Sequence, residues 1–100
     1  MDAGFLDAVT KVLSEFAQTK LSSQMLELVG PTKEGLNYRW RLLSTRYREV
    51  TVLLVSKKPF FGKATPEKFE VHGLDQTKQL APTVEALQTF LATSTLTLNG

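Results

Sequence analysis

Apolar positions recur at two different intervals along this chain. Between about residues 3 and 19, Phe5, Leu6, Ala8, Val9, Val12, Leu13, Phe16 and Ala17 follow the i, i+3, i+4, i+7 spacing, while Asp7, Lys11, Ser14, Glu15 and Gln18 fall opposite. That spacing gathers one stripe of side chains on a single helix face, so it predicts an amphipathic helix. The interval then drops to two. QMLELV and LNYRWRLL flank GPTKEG, whose Gly-Pro and Gly35 predict a turn between two strands. REVTVLLVSK predicts a third strand, and KFEVHG a short fourth with Phe69 and Val71 inward and Lys68, Glu70 and His72 outward. KKPFFGKATPEK, broken by Pro59, Gly62 and Pro66, predicts the loop between them. Helical spacing returns in Val84, Leu87, Phe90 and Leu91, predicting a second helix over about residues 82–93 with Pro82 in its first turn.

Side-chain alternation also predicts how the strands pair. Setting Leu28 beside Tyr38 and Leu26 beside Trp40 places Glu27 across from Arg39 on the opposite face. A one-residue slip would turn the Glu27 carboxylate toward the core, which desolvation disfavours. For the next pair, Leu42 with Val50, Trp40 with Val52 and Tyr38 with Leu54 share one face. Leu43 with Glu49, Arg41 with Thr51 and Arg39 with Leu53 then share the other, with a loop at Thr45–Tyr47.

The expected fold is therefore α+β: an antiparallel four-stranded sheet in α-β-β-β-β-α order, both helices on one face and the other face open. Its 100 residues form a single compact domain, with residues 94–100 either a frayed tail or a short extra strand. The end TSTLTLNG is not an obvious natural stop, which leaves room for a longer parent chain. Hydrophobic residues at 42% and charged residues at 22% support a folded core. The absence of cysteine excludes disulfides, thiolate metal sites and thiol nucleophiles, and favours an intracellular, cytoplasmic setting. MDAGFLDAVTKVL lacks the basic and apolar regions of a signal peptide, and no apolar run is long enough to span a bilayer.

Charge distribution changes this picture more than total charge does. The net charge is only +2, yet Arg39, Arg41, Arg46, Arg48, Lys57, Lys58 and Lys63 stand in residues 36–66 against Glu49 alone. Guanidinium groups on one strand face suit carboxylates and phosphates, so Arg39, Arg41, Arg46, Arg48, Thr51, Leu53, Lys57 and Lys58 form the first candidate site. PFFGK supplies the second: adjacent phenylalanines on a loop resist joint burial, which marks Phe60, Phe61 and Lys63 as a partner anchor. The bland alternatives are a solvated face kept from aggregating by its charges, and a phenylalanine pair folded under the loop. Tyr38 and Trp40, the rings able to stack on bases, fall on the buried face. His72, the sole histidine, lacks the companions of a metal site or a catalytic constellation; Glu70 and Asp75 are its nearest carboxylates in sequence.

A helix, strands and a closing helix is similar in order to double-stranded-RNA-binding domains and to the small proteins that bind the Alu RNA of the signal recognition particle. The former carry a lysine cluster at the start of their second helix, where this chain reads DQTKQLAPT with Lys78 alone. An SH2-like order needs an arginine in the strand that reads MLELVG, which has none. The likeness is confined to topology, and no family is assigned. The expectation is a non-catalytic binding or adaptor domain that docks an acidic protein through an open basic sheet face and an aromatic loop. The alternatives are homodimerisation, RNA or DNA binding by the same arginines and, last, a small enzyme. No cofactor, metal or membrane insertion is expected.

Overall fold

In the computed structural model, the described residues are 3–20, 27–43, 49–59, 61–73 and 77–93. Helix α1 (Ala3–Lys20) precedes strands β1 (Glu27–Glu34), β2 (Asn37–Leu43), β3 (Glu49–Lys57), β4 (Thr65–His72) and β5 (Thr77–Leu80), and helix α2 (Val84–Thr93) closes the order. The strands form one antiparallel meander, β1-β2-β3-β4-β5. Among the described residues, five strands, not four, make the sheet. The expectation missed β5 because TKQL carries a single apolar residue, Leu80, and an edge strand of four residues needs no alternation to be held. Leu80 pairs with Phe69 and packs on the core; the other three residues are exposed.

The core lies between the helices and one sheet face. Val9, Leu13 and Phe16 of α1 and Leu87 and Leu91 of α2 are buried with Trp40, Leu42, Val50, Val52, Leu54, Phe69 and Val71. These are the periodic positions of each element, so burial follows the intervals in the sequence. Trp40 is fully buried, and its Nε1–H donates to Thr10 Oγ1 at 2.9 Å, while that hydroxyl donates to Leu6 O at 2.9 Å. One threonine thus satisfies the indole and returns its own proton to the helix. Helix α2 starts two residues later than Pro82 suggested. Thr83 caps it, its Oγ1 accepting from the Ala86 N–H at 3.1 Å.

The β2–β3 register is the expected one at all six pairs, from Tyr38 with Leu54 to Leu43 with Glu49. The β1–β2 register is not. Glu27 pairs with Leu43 and Leu28 with Leu42, and the ladder shifts between Val29 and Thr32 before continuing to Glu34 with Asn37. GPTKE is strand, not turn. Gly30 and Pro31, joined by a cis peptide bond, form a bulge opposite Trp40 on an edge strand, where a missing N–H costs no ladder bond. Gly30, at φ 124°, also brings its backbone against β2: a Cβ there would lie 2.6 Å from the Arg39 carbonyl oxygen. The turn itself is Gly35-Leu36, with Gly35 at φ 63°.

Strand β4 likewise begins earlier than expected and runs through Pro66. Strand β5 covers only Phe69 to His72, so Pro66 lies where β4 has no outer neighbour among the described residues, beside a shift between Val55 and Ser56. Leu26, the loop Thr45–Tyr47, Asp75 and the tail 94–100 lie outside the described residues.

Candidate functional site

The open face of the sheet takes its composition from the odd positions of β2 and β3 and the even positions of β4. Pairing aligns Val29, Arg41, Thr51, His72 and Thr77 in one row across the strands, and Thr32, Arg39, Leu53, Glu70 and Gln79 in the next. Arg39, Arg41, Thr51 and Leu53 therefore meet on one surface, as the β2–β3 alternation predicted. Together with Glu49 and His72 they line an open depression of about 410 Å³. His72 enters this site from β4, a placement that needs the strand order and could not be read from spacing.

The face is not a row of unpaired arginines. Arg41 holds Glu49 in a two-point grip, Nε to Oε1 and Nη2 to Oε2, and Thr51 Oγ1 donates to Glu49 Oε1 at 3.2 Å. Arg39 Nη2 lies 3.2 Å from Glu34 Oε2. Glu27, expected opposite Arg39, faces Leu43 because of the shifted register. Lys68 Nζ reaches Glu70 Oε2 at 3.1 Å, and His72 Nε2 sits 3.1 Å from Glu70 Oε1. Arg39, Arg41 and Lys68 are thus matched by Glu34, Glu49 and Glu70. Among the described residues, the open face is close to charge-balanced.

The ion pairs set the titration of their members. The hydrogen bond from Arg41 holds the Glu49 carboxyl below its ordinary value, against a smaller opposing effect of desolvation, and Thr51 assists. Arg41 is raised in turn, chiefly by its hydrogen bond to Glu49. Glu70 is lowered by the hydrogen bond from Lys68 first, with a smaller contribution from His72. His72 Nδ1 also lies 3.3 Å from Thr77 Oγ1. Carboxylate, imidazole and hydroxyl thus form a short polar chain, but Thr77 is exposed and does not line the depression. Sequence reasoning missed Thr77 because β5 was missed.

The remaining expected residues belong to a different place. Lys57 ends β3, and Lys58, Phe61 and Lys63 follow in the connection to β4; all four are exposed, Phe61 at 82%. The ladder pairs Ser56 with Pro66 and Lys57 with Thr65 have no counterparts in β2 or β5, so this hairpin overhangs the sheet. The Asn37 side chain closes the ladder there, Oδ1 accepting the Ser56 N–H at 3.0 Å. The β1–β2 turn lies at the same end, because Asn37 begins β2 next to the end of β3. That turn presents Leu36, 43% exposed. Lys33, Lys57, Lys58 and Lys63 make no ion pair among the described residues. Arg46, Arg48 and Phe60 lie outside the described residues.

The two expected sites thus become a charge-balanced face and a lysine-rich end with two exposed apolar side chains, and Lys57 and Lys58 belong to the second rather than the first. Trp40, fully buried, presents no ring to a base on either surface. No group of three or more metal-ligating side chains occurs among the described residues, and no described helix is long and apolar enough to cross a membrane. No protein-family model, no curated protein and no solved structure matches the chain.

Proposed function

We propose that this chain is a non-catalytic binding domain that docks an acidic protein partner through the overhanging end of its sheet. One observation carries the reading: Leu36 and Phe61, the two exposed large apolar side chains among the described residues, share that end with Lys33, Lys57, Lys58 and Lys63. An apolar anchor at the same end of the sheet as several lysines suits a partner segment that alternates acidic and apolar residues. The charges steer the encounter, and burial of Phe61 supplies affinity. The open face contributes less than its arginines suggested, since each is held by a carboxylate. The lack of cysteine agrees with a partner met in the cytoplasm.

The test is a titration of ¹⁵N-labelled protein with an acidic, leucine-containing peptide. RNA and DNA oligonucleotides and vesicles of anionic lipid serve as parallel arms. Peptide-induced shifts at Leu36, Lys57, Phe61 and Lys63, lost in Phe61→Ser and in a Lys57→Glu/Lys58→Glu variant, are the expected outcome. Oligonucleotide binding with a steep salt dependence and shifts at Arg39 and Arg41 would replace the reading with nucleic-acid binding. Vesicle binding without peptide binding would replace it with a lipid surface.

A further inference from the structure

The depression on the open face is not used by the docking reading, and we infer that it binds a small organic carboxylate. At about 410 Å³ and open to solvent, it has room for a small molecule to rest against the sheet. Around its rim the acceptors are largely occupied. Both Glu49 oxygens take bonds from Arg41, one of them also from Thr51, and Glu70 is held by Lys68 and His72.

The donors are not used up. A guanidinium carries five N–H groups; Arg41 commits Nε and Nη2 to Glu49, and Arg39 places only Nη2 on Glu34. Arg39 Nε is buried and has no acceptor among the described residues. The present Arg39 rotamer is therefore one bond short, and the pair that holds it is a surface pair, 40% and 44% exposed, of little strength. A rotation that releases Glu34 presents the Nε–Nη edge as a fork, which matches the two coplanar oxygens of a carboxylate. Leu53, beside Thr51 on the central strand β3, provides apolar contact for a carbon skeleton. That contact selects an organic acid over an inorganic anion.

Titrating the ¹⁵N-labelled full chain with succinate tests this, with chloride at matched ionic strength and inorganic phosphate as parallel arms. Saturable shifts at the Arg39 and Arg41 Nε–H signals and at the Thr51, Leu53 and His72 amides are expected with succinate alone. Arg39→Lys keeps the charge and loses the fork, so affinity should fall about tenfold or more, the loss of one charge-assisted hydrogen bond. Arg39→Gln should remove binding while thermal unfolding stays unchanged. Equal shifts with chloride, shifts with phosphate but not succinate, wild-type affinity in Arg39→Gln, or no saturable response to succinate would each overturn the inference. The readout residues are separate from Leu36 and Phe61, so the failure of either proposal is visible without the other.

Discussion

Replacing Thr10 with valine isolates the contact that ties α1 to the middle of the sheet. Valine nearly preserves the shape of threonine and removes the oxygen that accepts from Trp40 Nε1. Because Trp40 is fully buried, the indole N–H is then left without a partner, at a cost of about 1–3 kcal/mol. Thr10→Ser is the control. It keeps the acceptor and loses one methyl on a half-buried position, for which about 0.8 kcal/mol is an upper bound. Serine, threonine and valine have similar helix propensities, so propensity does not decide the comparison. At about 4–8 °C per kcal/mol for a domain of this size, valine should lower the melting temperature by at least about 4 °C and serine by less. Urea unfolding followed by fluorescence is direct, because Trp40 is the sole tryptophan. A double-mutant cycle with Trp40→Phe, followed by circular dichroism, should return a coupling of roughly 0.5–3 kcal/mol. Equal losses in Thr10→Val and Thr10→Ser, or a coupling near zero, would refute the role given to this hydrogen bond.

Four further substitutions have outcomes set by the structure. Gly30→Ala should destabilise by more than about 1 kcal/mol in denaturant unfolding, because a positive φ and a 2.6 Å approach to the Arg39 carbonyl act together. Gly35→Ala, with nothing within 4 Å of the added carbon, should cost less, about 1–2 kcal/mol at most from its backbone conformation. Glu49 is held below the ordinary 4.5, so its contribution is complete above that pH and is lost as pH falls through the folded value. Glu49→Gln should therefore flatten the decline of melting temperature on acidification; an unchanged slope would show that the Arg41 pair contributes nothing. Phe61→Ser should leave stability within about 0.5 kcal/mol of wild type, measured by thermal unfolding, while removing binding of the acidic peptide.

What the sequence made legible divides by physical cause. Strand alternation determines which face a residue takes, and Glu27, Leu28, Arg39 and Trp40 all took the expected faces. It does not separate registers that differ by an even number of residues, because each keeps every face assignment intact. For β2–β3 the choice fell correctly, since Arg39 to Leu43 and Glu49 to Leu53 left little other sensible pairing. For β1–β2 the choice depended on where the chain reverses, and Gly30-Pro31 gave a stronger turn signal than Gly35. On an edge strand that signal meant a bulge. Pro31 and Pro66 signal breaks in the sequence, yet both are tolerated within strands because no neighbouring strand among the described residues requires their missing N–H. Within the site, the positions of the arginines were legible, and so was Glu49 as a neutralising neighbour, which pairs with Arg41; the partner of Arg39 was not. Glu34 and His72 reach Arg39 and the depression only through the true register and strand order.

The overhang of the β3–β4 hairpin has a consequence for how this domain can change. Lys58, Pro59 and residues 61–64 extend past the paired rows of β2 and β5, and none of these belongs to the buried core. Their identity and number can drift with little effect on the packing of Trp40 or Phe69, as exposed tips generally tolerate insertion. On the docking reading proposed above, partner choice and fold would be inherited almost separately: a lineage could exchange KPFFGKA for another tip and retain the same scaffold. The same separation makes the tip a convenient place to graft a binding peptide or a fluorescent label.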